Sequence, residues 1–198
     1  MVKVVKSPRA AVYPTPAALV SVYDENGKPN AMTAAWISNI CAEPPAVVVG
    51  IRDSRYTYEL IEKCGCFGVN IPSVKIAKET DYFGMYSGRD VDKFKETGLT
   101  VFEGKEIKVP LIEECPVNVE CKVIKKVKIG THYAFFGEVL KVYYDESMLD
   151  EKGSPDMLLA DALAYGTAKY YTLKKVVAKY GFSKKEWFLA SNYLQNIK

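Results

Sequence analysis

Val117-Asn118-Val119-Glu120-Cys121-Lys122-Val123, continuing to Ile129, and then His132-Tyr133-Ala134-Phe135-Phe136-Gly137-Glu138-Val139-Leu140-Lys141-Val142-Tyr143 form the stretch on which the fold turns. In its first half Val117, Val119, Cys121 and Val123 alternate with Asn118, Glu120 and Lys122, the period of a strand with one buried and one wet face. Its second half is apolar on both sides, with Tyr133, Phe135 and Val139 on one and Ala134, Phe136, Leu140 and Val142 on the other. An antiparallel strand covered on both faces implies a closed barrel whose outside is partly packed under helices or a second subunit.

Upstream, Ala46-Val47-Val48-Val49-Gly50-Ile51 is a second fully apolar strand. It runs into Arg52-Asp53-Ser54-Arg55-Tyr56-Thr57 and a helix whose core stripe is Thr57, Leu60, Ile61 and Cys64, with Ser54 as N-cap and Gly65 just past the end. This helix start gathers free N–H groups, the positive end of the dipole, the hydroxyls of Ser54 and Thr57, and the guanidinium groups of Arg52 and Arg55. These are the donors a phosphate monoester requires. The same residues also describe a plain capped helix with solvated arginines, the commoner case.

Earlier still, Ala17 to Tyr23 reads as a strand that turns at Asn26-Gly27 and returns as Asn30-Ala31-Met32-Thr33-Ala34-Ala35-Trp36-Ile37-Ser38. Small residues let a flat ligand approach the backbone, Thr33 and Ser38 offer hydroxyls, and Trp36 offers a broad apolar face. A tightly packed strand with Trp36 in the core accounts for the composition equally well. Beyond the organising helix come a short strand, Cys66 to Ile71, a helix from Ser73 to about Asp81, a Gly-rich loop, and a short helix with Asp90 near its start. From about residue 154 the pattern predicts a helical, aromatic extension including Tyr165, Tyr170, Tyr171, Tyr180, Phe182, Trp187, Phe188 and Tyr193.

The 198 residues suffice for one domain, and no linker-like run divides them. With 27 basic and 24 acidic residues the charge is nearly balanced, which gives no case for nucleic acid or an anionic membrane as partner. No signal-like or spanning apolar run occurs, and an odd set of five cysteines reads as reduced thiols, so a soluble cytoplasmic protein is expected. Cys64-Gly65-Cys66 lacks the thioredoxin-like two-residue spacer, and a single histidine, His132, excludes multi-histidine metal centres.

Taken in order, Asn30 to Ser38, Pro44-Pro45, Ser54-Arg55-Tyr56-Thr57, Phe67-Gly68-Val69-Asn70, Ser87 to Phe94 and Gly130 to Val139 resemble the flavin reductase-like, FMN-binding split-barrel family that includes flavoredoxins. The resemblance implies a mainly β fold, a six-stranded antiparallel Greek-key split barrel with flanking helices, a homodimer, and noncovalent FMN near the dimer interface. It places the FMN phosphate at Arg52–Thr57, with Ser54, Arg55 and Thr57 as donors. Asn30, Thr33, Ala34, Ala35, Trp36 and Ser38 would line the ring and ribityl chain, and Asn70 would reach the flavin or brace its loop. Lys93, His132 and Tyr165 would approach the cofactor, possibly from the other subunit, with His132 the candidate catalytic residue. Many of the family's reductases carry Asp immediately before that histidine, where this chain has Thr131.

Two activities follow from the resemblance. One is an oxidoreductase taking electrons from NAD(P)H through FMN to an acceptor such as free flavin or a ferric chelate. The other is a flavoredoxin-type electron-transfer protein that serves a carrier protein without oxidising a nicotinamide itself. A barrel that binds oligonucleotides or a protein partner and no flavin is the remaining reading, against which the balanced charge argues.

Overall fold

The computed structural model describes residues 1–183; Trp187, Phe188 and Tyr193 of the expected aromatic tail lie outside them. In chain order come β1 (Thr15–Pro16), β2 (Ala18–Tyr23), β3 (Pro29–Ala34), β4 (Ile37–Ala42), β5 (Pro45–Ile51), α1 (Tyr56–Cys64) and β6 (Cys66–Ile71). They are followed by α2 (Ala77–Met85), α3 (Lys93–Thr97), β7 (Val101–Glu103), β8 (Pro110–Ile112), β9 (Val117–Ile129), β10 (His132–Tyr144), β11 (Leu163–Gly166) and β12 (Lys169–Thr172).

Seven strands form one antiparallel sheet in the order β3-β2-β6-β9-β10-β5-β4. Its two outermost strands are consecutive in the chain, so Ala35-Trp36 carries the backbone from one edge of the sheet to the other. The segment read as one return strand is therefore a strand bent in the middle, and counted as one it makes the barrel six-stranded. The Gly50 N–H donates to the Trp36 carbonyl at 2.8 Å, which pins the bend to β5.

The barrel is filled by Val20, Val22, Val47, Val49, Ile51, Leu60, Ile61, Phe67, Val69 and Phe135. Phe67 and Phe135 are fully buried, and removing either ring would cost about 3–5 kcal/mol. A Cβ at Gly137 would stand 2.6 Å from Phe67 Cζ, so glycine in mid-strand makes room for that ring. A second core, including Leu19, Ala31, Ile76, Phe83, Phe94 and Ile112, lies between the outer face of β2–β3 and the segments carrying α2 and α3.

Several expectations change here. Asn118 and Glu120, assigned to a wet face, are buried because the segment around β7 and β8 covers it. Glu120 accepts the N–H groups of Lys105, Glu106 and Ile107 at 2.8–2.9 Å and the Tyr143 hydroxyl at 2.5 Å. The expected helical extension is instead a hairpin, β11–β12, which pairs with β1 in a small sheet. Its turn residues Thr167 and Ala168 both have positive φ, 50° and 59°, angles that such residue types do not announce.

Helix ends also differ. α1 starts at Tyr56 with Arg55 at the cap position and no side-chain capping bond, so Ser54 is not the cap. Gly65 does end it in the left-handed conformation, at φ 69°. Cys64 is exposed, leaving Thr57, Leu60 and Ile61 as the buried stripe. The helix expected after Ser73 begins with a single 3-10 turn, Val74–Ile76, and α2 then runs on to Met85. α3 is capped by Asp92, whose carboxylate accepts from the Lys95 N–H at 3.1 Å, and Asp90 lies outside it. Among the described residues no helix is long and apolar enough to cross a membrane.

Candidate functional site

The entry to α1, the inner part of β3 and the α2–α3 connection enclose a cavity of about 240 Å³. Asn30, Thr33, Ser54, Arg55, Thr57 and Lys93 all line it, so the structure brings six of the sequence-derived residues together. At its base Asn30 Nδ2 donates to Thr57 Oγ1 at 2.9 Å, with both residues buried. Thr57 thereby spends a lone pair on Asn30 and keeps its O–H to donate. Asn30 Oδ1 is fully buried and has no partner among the described residues.

Lys93 is only 4% exposed. Its Nζ donates to the carbonyls of Phe83 and Tyr86, both at 3.1 Å, and an ammonium has a third N–H left. Burial first, and the charge of Arg55 second, pull its pKa from 10.5 to about 8. Among the described residues no carboxylate is paired with Lys93. A buried cation without a counter-ion, beside an arginine and two hydroxyls, is a site for an anion. Lys93 reaches it from the same chain that supplies Arg55.

A second group sits on the rim. Trp36 is half exposed, and its ring centroid lies 4.5 Å from that of His132. It covers Gly50, where an added Cβ would be 3.5 Å from Trp36 Cβ. Arg52 Nε donates to His132 Nε2 at 3.4 Å, and His132 Nδ1 lies 2.9 Å from Thr131 Oγ1. Guanidinium has no lone pair to offer, so Nε2 accepts and the neutral ring carries its proton on Nδ1, toward Thr131. Thr131 thus orients the ring from the position immediately before it. Burial, then the charges of Arg52 and Arg55, hold His132 below the ordinary histidine pKa against an opposing pull from Asp53. Because Arg55 acts on both Lys93 and His132, cavity and rim share one electropositive turn.

Ser38, Ala34, Ala35, Asn70 and Tyr165 stand outside this cavity. Ser38 is exposed on β4 and donates to the Asn39 carbonyl. Ala34 is buried opposite Ala18 in the β2–β3 ladder, and Ala35 lies in the bend. Thr33 spends its hydroxyl on the Thr80 carbonyl, tying β3 to α2. Asn70 is fully buried, donating to the Leu19 carbonyl and Ser21 Oγ and accepting from Ile112 N and Asn118 Nδ2. With its donors and acceptor lone pairs all used internally, it braces the β8 segment and has nothing left for a ligand. Tyr165 sits on the small sheet against Tyr170, 5.4 Å between centroids, and not in the cavity.

Tyr56, Tyr86, Ser87, Gly88 and Arg89 also line the cavity and were given no role from sequence. Arg89 donates to the Ser54 carbonyl at 3.2 Å, pairs with Glu59, and lies 5.2 Å over the Tyr56 ring, closing the α2–α3 connection onto α1. The Ser-Gly-Arg-Asp run was the available signal.

Comparison with known proteins agrees with this architecture. The flavoredoxin of Desulfovibrio vulgaris (Miyazaki F) superposes with a TM-score of 0.88 at 36% identity, covering 92% of this chain and all of that one. A flavoredoxin from Methanosarcina acetivorans gives 0.86 at 33% identity, over 94% of this chain and 100% of that one. An FMN-binding protein from Thermus thermophilus gives 0.77 at 29% identity, over 90% and 99%. Residues 9–174 match the family described as flavin reductase like domain, and the chain belongs to that family.

Proposed function

We propose that the protein is a flavin-dependent oxidoreductase that holds FMN noncovalently by its phosphate in the α1 cavity, and that it works as a homodimer in the cytoplasm. The observation that carries this is Lys93, a buried ammonium without a carboxylate partner among the described residues, facing the same cavity as Arg55, Ser54 and Thr57. The donor set also fits the rest of a phosphorylated polyol. Phosphate oxygens accept from the cations and hydroxyls, while the orphaned Asn30 Oδ1 calls for a donor such as a sugar-chain hydroxyl.

At about 240 Å³ the cavity is smaller than the ~300–1,000 Å³ pockets that enclose whole drug-sized ligands, so it suits the phosphate end of the nucleotide. Bound FMN supplies the chemistry, accepting electrons from a donor and releasing them to an acceptor. The chain's residues supply the rest. Arg55 and Lys93 neutralise the phosphate, Trp36 offers an apolar surface, and neutral His132 holds its proton on the Thr131 side. The half-covered outer face of β10, with Ala134, Phe136 and Leu140, and the exposed Ile40 support a second subunit as cover. Five free thiols suit a reducing compartment.

NAD(P)H is the electron donor in this reading. A second reading, electron transfer to a carrier protein without direct nicotinamide oxidation, is favoured by the two flavoredoxins among the structural neighbours. The visible absorption spectrum, with FMN added if needed, before and after anaerobic NADH or NADPH, separates them. Prompt bleaching supports the nicotinamide reaction, bleaching by dithionite alone supports the carrier role, and no flavin band overturns both.

A further inference from the structure

The opposite end of α1 carries chemistry that the flavin reading does not use. Cys64 is the last residue of the helix and Cys66 the first of β6, and Gly65 between them turns the chain in a single left-handed step. The Val123 N–H donates to the Gly65 carbonyl at 2.9 Å and fixes this turn to β9. Cys64 is exposed and Cys66 half-buried; the Cys64 thiol donates to the Cys66 carbonyl at 3.1 Å, and the Cys66 thiol lies 3.9 Å from the Lys108 carbonyl. Both cysteines open into a groove of about 880 Å³ whose charged lining is Lys108 and Lys122 with Asp24, Glu25, Glu106 and Glu138.

The two thiols are not equivalent. The neighbouring Cys66 thiol comes first among the causes that pull the Cys64 pKa down to about 7, with burial opposing. Cys64 in turn, and then burial, drives the Cys66 thiol far up. A helix C-terminus disfavours an anion, so the Cys66 S–H and the local N–H groups of Cys64 and Cys66 are what stabilise the Cys64 thiolate. An attacking thiol with a pKa near ambient pH combines thiolate population with nucleophilicity. By contrast, Cys115 and Cys121 are buried and their thiols are pushed up by that burial, Cys121 to about 12.

We propose that Cys64 and Cys66 form a dithiol–disulfide couple that reduces disulfides entering this groove, with Cys64 attacking and Cys66 resolving. Cys64 sulfur attacks one sulfur of the incoming disulfide, that S–S bond breaks, and the first thiol leaves with a proton. Cys66, giving up its own proton, then attacks Cys64 sulfur in the mixed disulfide and expels the second thiol. The incoming disulfide gains two electrons and two protons, and the protein loses the same in forming the Cys64–Cys66 bond. The groove carries charges of both signs and is broad enough for a small zwitterionic disulfide, for which oxidised glutathione is a convenient probe.

The test is to incubate the purified protein with oxidised glutathione at neutral pH and follow intact mass and peptide maps. The expected product has lost two hydrogens, with the bond mapped to Cys64–Cys66 and reversed by dithiothreitol. Cys66→Ser should stop at a stable glutathione adduct on Cys64, and Cys64→Ser should lose at least tenfold in rate. Wild-type protein that stays reduced, or that carries a lasting glutathione on Cys64 without an internal bond, would overturn the proposal, as would oxidation beginning at the exposed Cys41.

Discussion

Gly88 lies so close to Asn30 that a Cβ built on it would stand 2.1 Å from Asn30 Oδ1. The same Cβ would be 3.2 Å from the Tyr56 ring, so the α2–α3 connection can close over β3 and α1 only with glycine at this position. Gly88→Ala must therefore displace Asn30 or the connection itself. Overpacking of this kind costs about 1–3 kcal/mol, and a fluorescence titration should show FMN affinity falling roughly 10- to 100-fold. Wild-type affinity in this variant would show that the Asn30–Gly88 contact does not shape the site.

Ser54 and Thr57 should separate under mutation. Ser54 is exposed, so Ser54→Ala should weaken FMN binding and leave the unfolding midpoint in place. Thr57 is buried and accepts from Asn30, so Thr57→Val strips the last partner from an amide whose oxygen already has none. It should lower stability by about 1–3 kcal/mol in urea titrations as well as weakening FMN binding. Equal stability of the two variants would contradict the Asn30–Thr57 bond.

The Lys93 charge makes anion binding depend on pH. Its folded pKa near 8 lies below the unfolded 10.5, so between these values the unfolded chain binds more protons and the free protein gains stability as pH rises. Phosphate binding runs the other way, because it needs the ammonium. FMN affinity should fall as pH rises through about 8, while riboflavin affinity, without the phosphate, should change less. Lys93→Met should flatten the difference, and an FMN profile that matches riboflavin's from pH 7 to 10 would separate Lys93 from the phosphate.

Glu120 should govern the acid limb of stability. Burial opposes its charge, but the Tyr143 hydroxyl and the N–H groups of Ile107, Lys105 and Glu106 outweigh it and hold the carboxyl below 4.5. A depressed carboxylate contributes stability above its unfolded pKa, and that contribution disappears as pH falls through the folded one. Glu120→Gln should cost about 1–3 kcal/mol at pH 7 and much less at pH 3 in denaturant titrations. An equal loss at both pH values would indicate packing alone.

The legible parts were those that rest on local pattern. Alternation in β9, the apolar run of β5 and the Gly65 stop all depend on a few neighbouring residues. Misreadings arose where distant segments decide. Asn118 and Glu120 look solvent-facing until β7 and β8 cover them, and nothing local shows that Asn30, 27 positions away, takes a lone pair of the core-facing Thr57. The β11–β12 turn escaped because Thr167 and Ala168 adopt positive φ without Gly or Asn to signal it. In the site, the α1 turn was readable from its cations and hydroxyls. The cavity's other wall was not, because Gly88 and Arg89 acquire their roles only when the α2–α3 connection lands on α1.

The bend at Ala35-Trp36 has a consequence for fidelity. A sheet with two free ends can slip by one residue at any ladder and still pair, turning that strand's side chains inside out. Here β3 is aligned by its hairpin with β2 and β4 by its hairpin with β5, and these are two halves of one short span. A slip at any rung would therefore have to be matched all the way round the ring, so the covalent seam acts as a check on every other alignment.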